Sequence, residues 1–260
     1  MKEQVINKQE IKILLDEKYQ QYNVPGFIQD DPVSIPHQFD KKEDIEIAGF
    51  LSATIAWGNR KSIIKNANTL MKEMGYYPHE FIMNASEKDF EAFRHFVHRT
   101  FNGTDTVFFL KSLQNIYKNH KGLEAVFSKG YNSGGSLWHA LQYFRLVFLE
   151  TPHEKRTEKH VANVAKKSSG KRLCMFLRWM VRNDNRGVDF GLWNKIPESA
   201  LMMPLDVHTG TVSRKLGLLN RKQNDWQAVE ELTAALREFD VEDPVKYDFA
   251  LFGMGVDGIV

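Results

Sequence analysis

Apolar residues recur along this chain mostly at helical spacing. Ile11, Leu14 and Leu15 stand among charged residues between Met1 and Glu17, the pattern of an amphipathic helix rather than of a leader segment. Residues 22–40 carry Pro25, Gly26, Asp31-Pro32 and Pro36 and read as an ordered loop. Ile45, Ala48, Leu51 and Ile55 then form a stripe whose helix Asp40 or Asp44 can cap. Gly58-Asn59 interrupts it, and Ile63, Ala67, Leu70, Met71 and Met74 make a second helix that stops at Gly75 and Pro78. Phe90 to Val97 reads as a further helix. Thr104 or Asp105 can cap the next, with Val107, Phe108, Leu110, Leu113 and Tyr117 inward. Residues 129–136 read as a loop, and Leu137, Leu141, Phe144 and Phe148 as a helix ended by Pro152. Asp225 to Phe239 and the stretch opened by Asp243-Pro244 supply two more. Strand-type alternation is scarce, so the pattern predicts an all-α fold with at most one short hairpin.

Composition adds boundaries to this picture. The 260 residues are 42% hydrophobic and 26% charged, ordinary values for a folded domain. No run is long and apolar enough to span a membrane, and a cytoplasmic location is expected. Cys174 is the only cysteine, which excludes an internal disulfide and any all-cysteine metal or iron–sulfur site within one chain. The net charge is only +2, but residues 154–186 hold ten basic residues against three acidic ones. A local excess of that size can attract a polyanion.

Two segments carry candidate chemistry. In residues 168–182, Ser168 or Ser169 can cap a helix whose buried face is Leu173, Phe176, Leu177, Met180 and Val181. Lys171, Arg178 and Arg182 fall within about 40° of one another on that helix, given about 100° per residue. A lysine in a first turn opposes the helix dipole, so it either faces solvent or waits for an anion. After a polar insertion, Asp206 is placed to cap a helix that Gly217 ends. Read alone, Asp206 is an N-cap and no more. His208 brings no cluster at metal-ligand spacing, so no metal is expected.

The segment Pro204-Leu-Asp-Val-His-Thr-Gly-Thr-Val-Ser-Arg-Lys-Leu-Gly-Leu218 resembles the active-site segment of helix-hairpin-helix DNA glycosylases, with Asp206 at the position of the catalytic aspartate. Ser169-Gly-Lys-Arg-Leu173 resembles the hairpin of the members that cleave through a Schiff base, with Lys171 as nucleophile. Phe50-Leu-Ser-Ala-Thr54 resembles the opening of the same superfamily. More closely, Lys171–Arg182, Pro204–Thr209 and Asp243–Phe252 resemble an uncharacterised, DUF2400-like bacterial family common in Bacteroidetes.

The superfamily resemblance implies a two-lobed helical glycosylase-like fold: one globular unit with residues 44–160 as the first lobe, and 1–43 with 161–260 as the second. It implies base-excision repair: a DNA glycosylase, with or without lyase activity, acting on a damaged base in duplex DNA. Ser169, Gly170, Arg172, Arg178, Arg182, His208 and Arg214 would hold the nucleic acid, and Trp57, Trp179 or Trp193 would stack on the base. A monomer is expected, with no cofactor, no iron–sulfur cluster and no membrane partner. The hairpin glycines are reduced to Gly170, and Thr54 stands where many relatives carry glutamine. Those departures keep a second reading open, a non-catalytic nucleic-acid-binding protein of glycosylase-like fold.

Overall fold

In the computed structural model, which describes residues 7–259, the chain is all-α. Its helices are α1 (Lys8–Tyr22), α2 (Lys42–Thr54), α3 (Arg60–Glu73), α4 (Pro78–Asn84), α5 (Glu87–Glu91), α6 (Gly103–Asn119), α7 (Leu123–Gly134), α8 (Leu137–Phe148), α9 (Lys171–Val181), α10 (Val207–Lys215), α11 (Trp226–Arg237) and α12 (Tyr247–Asp257). The one sheet among the described residues is a hairpin of β1 (Val97–His98) and β2 (Phe101–Asn102), paired antiparallel. The part of the expected first helix before residue 7 lies outside the described residues.

Helix α2 is the centre of the core. Every residue from Asp44 to Thr54 is buried, so it is wrapped on all sides rather than striped. It packs on α9, α3, α4 and the 3-10 turns of residues 32–38, which replace the expected loop with short helical turns. Phe50 on α2 meets Phe109, Phe144, Phe148 and Phe176 with ring centroids 5.4–6.0 Å apart, joining α6, α8 and α9 around it. Helix α12 packs against α1 and α10. Helix α9 is held between the two groups, because it packs on α2 and its Arg178 pairs with Asp248 of α12.

Several local expectations are corrected. Residues 129–136 are not a loop, since α7 runs to Gly134. Its glycines serve packing: a Cβ on Gly130 would stand 2.6 Å from Tyr143 Cβ and 2.8 Å from Ala140 Cα of α8. Neither Asp40 nor Asp44 caps α2; Asp44 instead accepts from the His79 N–H at 2.8 Å. Asn102, not Thr104 or Asp105, caps α6, with Asp105 completing a capping box. Residues 90–97 are the end of α5, a 3-10 turn and the hairpin start rather than one helix. Asp206 caps α10 and Gly217 stands at positive φ just past it, both as expected, and Asp225, at the start of the expected helix, caps α11.

The insertion after α9 is tied down by a buried charge network. Arg182, fully buried, donates to Asp243 at 2.9 Å, to Asp184 at 2.8 Å and to Asp189 at 3.0 Å. Its remaining nitrogen donates to Tyr19 Oη of α1 at 2.9 Å. One guanidinium thus staples α9, α1, the insertion and the approach to α12.

Candidate active site

Lys171 and Asp206 reach each other from the starts of two helices. Gly170 precedes Lys171 with φ +65°, a conformation that favours glycine, and turns the chain into α9. Neither Ser168 nor Ser169 caps α9, contrary to expectation; Ser168 Oγ accepts from the Gly170 N–H at 3.3 Å. Asp206 divides its carboxylate. Oδ1 accepts the Thr209 N–H at 2.9 Å and caps α10, while Oδ2 stands 3.7 Å from Lys171 Nζ. That separation is an ion pair, too long for a hydrogen bond. The Asp206 carbonyl accepts from Asn224 Nδ2 at 2.9 Å, which fixes the turn from the other side.

The pair sits on a cleft of about 480 Å³, within the range of small-ligand sites. Its walls mix charged side chains with the aromatic rings of Trp57, Trp179, Phe27 and Phe252. Trp57 is half-buried and stacks over Arg172 at 4.9 Å, with His160 behind it at 5.9 Å. Arg172 donates to the carbonyls of Thr54 and His160, and burial lowers its pKa to about 10. Arg60 lies over Phe252 at 5.4 Å, and His208, exposed at the rim, packs edge-on to the same ring. Trp179 is fully buried, and its indole N–H has no hydrogen-bond partner.

Two further carboxylates line the cleft. Asp248, on α12, pairs with Arg178, which also donates to Asp189 at 3.2 Å. Burial raises the Asp248 pKa to about 6; Arg178 opposes that shift and Asp206 adds to it. Asp31 accepts the Val33 N–H at 3.1 Å, and burial likewise pushes its carboxyl upward against the pull of that N–H and of Arg178. Among the described residues no three acidic, histidine or cysteine side chains group as a metal site.

Of the residues singled out from sequence, Lys171, Asp206, Arg172, Arg178, His208, Trp57 and Trp179 line this cleft. Ser169 and Gly170 lie beside it without lining it. Three expectations need correction. Arg178 and Arg182 are 4% and 0% exposed and satisfied by aspartates, so neither is a phosphate-gripping surface group. Trp193 is buried away from the cleft and donates its indole N–H to Glu46 at 2.7 Å. Arg214 lies outside the cleft lining and donates to the Arg221 carbonyl at 2.8 Å and to Asn224 Oδ1 at 2.7 Å. Part of the basic excess of residues 154–186 is therefore neutralised internally, through Arg178, Arg182, Lys171 and also Arg156, which is bound to Asp105. Lys155, Lys159, Lys166 and Lys167 remain exposed.

Sequence reasoning missed Asp31, Asp248 and Arg60 as site residues. Asp31-Pro32 was legible as a turn and Asp248 as part of a motif, but nothing local says that residues 31, 171, 206 and 248 share one cleft.

The chain is thus an all-α protein with a lysine–aspartate pair on a cleft lined by charged and aromatic side chains. It belongs to DUF2400, a family of proteins of unknown function, whose model matches residues 31–257. Comparison with curated proteins and with solved structures gave no match. No helix among the described residues is long and apolar enough to cross a membrane.

Proposed function

We propose that this protein is a DNA glycosylase of the helix-hairpin-helix type, in a two-lobed fold, that removes a damaged base swung out of duplex DNA and forms a Schiff base through Lys171. The observation that carries the reading is the Lys171–Asp206 pair, 3.7 Å apart on a cleft of about 480 Å³, large enough for a nucleobase, whose lining includes four aromatic rings. Extrusion is the step such chemistry requires, because the bond to the base is inaccessible inside the stack.

The pair suits the reaction. Lys171 passes a proton to Asp206 and attacks C1′ as a neutral amine. The C1′–N bond breaks with its electron pair on the base, which takes up the proton. The sugar ring then opens at C1′–O4′, O4′ gains a proton, and the nitrogen of Lys171 becomes an imine. Asp206 gives the proton it took from Lys171 to the departing base, and the carboxylate so restored offsets the positive charge that develops on the sugar. Trp57, backed by Arg172 and His160, is the wall prepared for stacking. Exposed Lys166 and Lys167, just before α9, supply the backbone charge that Arg178 and Arg182 do not.

The test is base release from a panel of duplexes, each carrying one oxidised, deaminated or alkylated base. Release from at least one lesion, lost in Asp206→Asn, is the expected result. Duplex binding with no release from any lesion would replace this reading with the non-catalytic one.

A further inference from the structure

The two carboxylates that the reaction leaves unused each keep one oxygen unpaired. Asp31 bonds the Val33 N–H through Oδ1 alone, and Asp248 bonds Arg178 through Oδ2 alone. Both side chains are more than nine-tenths buried, at 8% and 6% exposure, and both line the cleft. Each free oxygen opens on the cleft, so an occupant that displaces water from it loses affinity unless it brings N–H groups in the water's place. A metal ion does not fit, since the acidic groups do not cluster as ligands. An organic cation fits poorly, because Arg60, Lys171, Arg172 and Arg178 outnumber the three aspartates around the cleft.

Resting on the placement of a base in this cleft, we infer that the base is a purine with a guanine-type edge, a ring N–H beside an exocyclic amino group, read by Asp31 and Asp248. Thymine- or uracil-type edges offer one N–H flanked by carbonyls, which would face the carboxylates with acceptors. Hypoxanthine keeps the ring N–H but lacks the amino group, so it isolates the contact.

The experiment is equilibrium binding at pH 8 to duplexes carrying a single-nucleotide bulge of guanine, hypoxanthine or thymine. A bulged base has no partner to give up on leaving the stack. Lys171→Gln protein is used, so that no strand is consumed. Guanine is expected to bind about tenfold or more tighter than hypoxanthine, the scale of one hydrogen bond to a charged acceptor. Asp31→Asn, which keeps an oxygen for Val33 and turns an N–H toward the cleft, should shrink that ratio and tighten binding of the thymine bulge. Equal binding of guanine and hypoxanthine overturns the inference, whether or not Asp31→Asn folds. So does a folded Asp31→Asn protein with the preference intact. The outcome separates from that of the glycosylase reading. A guanine preference without base release leaves the cleft as a recognition site, whereas base release without the preference removes this inference alone.

Discussion

Asp206 combines two duties in one side chain, and substitutions can divide them. Asparagine caps a helix about as well as aspartate, so Asp206→Asn should leave unfolding stability within about 1 kcal/mol of wild type. The lost charge should lower base release by on the order of 10²-fold. An aspartate that only caps α10 would give neither loss, since asparagine keeps the cap. The cap and the match to a catalytic position were both legible in the local sequence, because each depends on neighbours a few residues away. The fates of Arg178 and Arg182 were not. Their stripe on α9 was read correctly, but Asp189, Asp243 and Asp248, which neutralise it, stand 7 to 70 residues along the chain. Removing Arg182 should therefore act on folding. Arg182→Ala leaves buried aspartates uncompensated and should cost about 3–5 kcal/mol in denaturant unfolding. Lys166→Gln with Lys167→Gln should instead spare stability and reduce the slope of log duplex affinity against log salt by about 1–2. An unchanged slope would remove those lysines from the interface.

At the scale of elements, helix positions follow the hydrophobic period closely wherever one face is buried, as in α3 and α8. The period gives less warning where a helix is buried all round, as α2 is, or where glycines serve contact rather than turning. Gly130 and Gly134 look like loop residues in sequence and are contact points of α7 on α8. Gly130→Ala tests that assignment. Alanine favours a helix by about 1 kcal/mol at an open position. Here its Cβ would collide with backbone and Cβ atoms of α8, and the net effect should be a loss of about 1–3 kcal/mol. A gain in stability on thermal or denaturant unfolding would return residues 129–136 to the status of a loosely held segment.

Over the whole molecule, acid sensitivity should come in part from His160 behind the stacking wall. Burial lowers its pKa to about 4, with Asp105 at 3.3 Å only partly opposing, too poorly aligned for a hydrogen bond. The unfolded chain binds that proton more readily, so the neutral ring contributes stability above pH 6.5 that is lost as pH falls toward 4. The loss is at most about 3 kcal/mol. His160→Gln should flatten this part of the stability profile, and parallel profiles for the two proteins would show that His160 titrates elsewhere. The same assembly brings Lys171, from the first turn of one helix, to the cap of another 35 residues away. Borohydride reduction during incubation with lesion-containing duplex tests its role most directly. The expected result is a covalent protein–DNA adduct that mass spectrometry places on Lys171 and that Lys171→Gln abolishes while the protein remains folded. An adduct on another residue, or base release with no adduct at all, would contradict the assignment of Lys171 as the nucleophile.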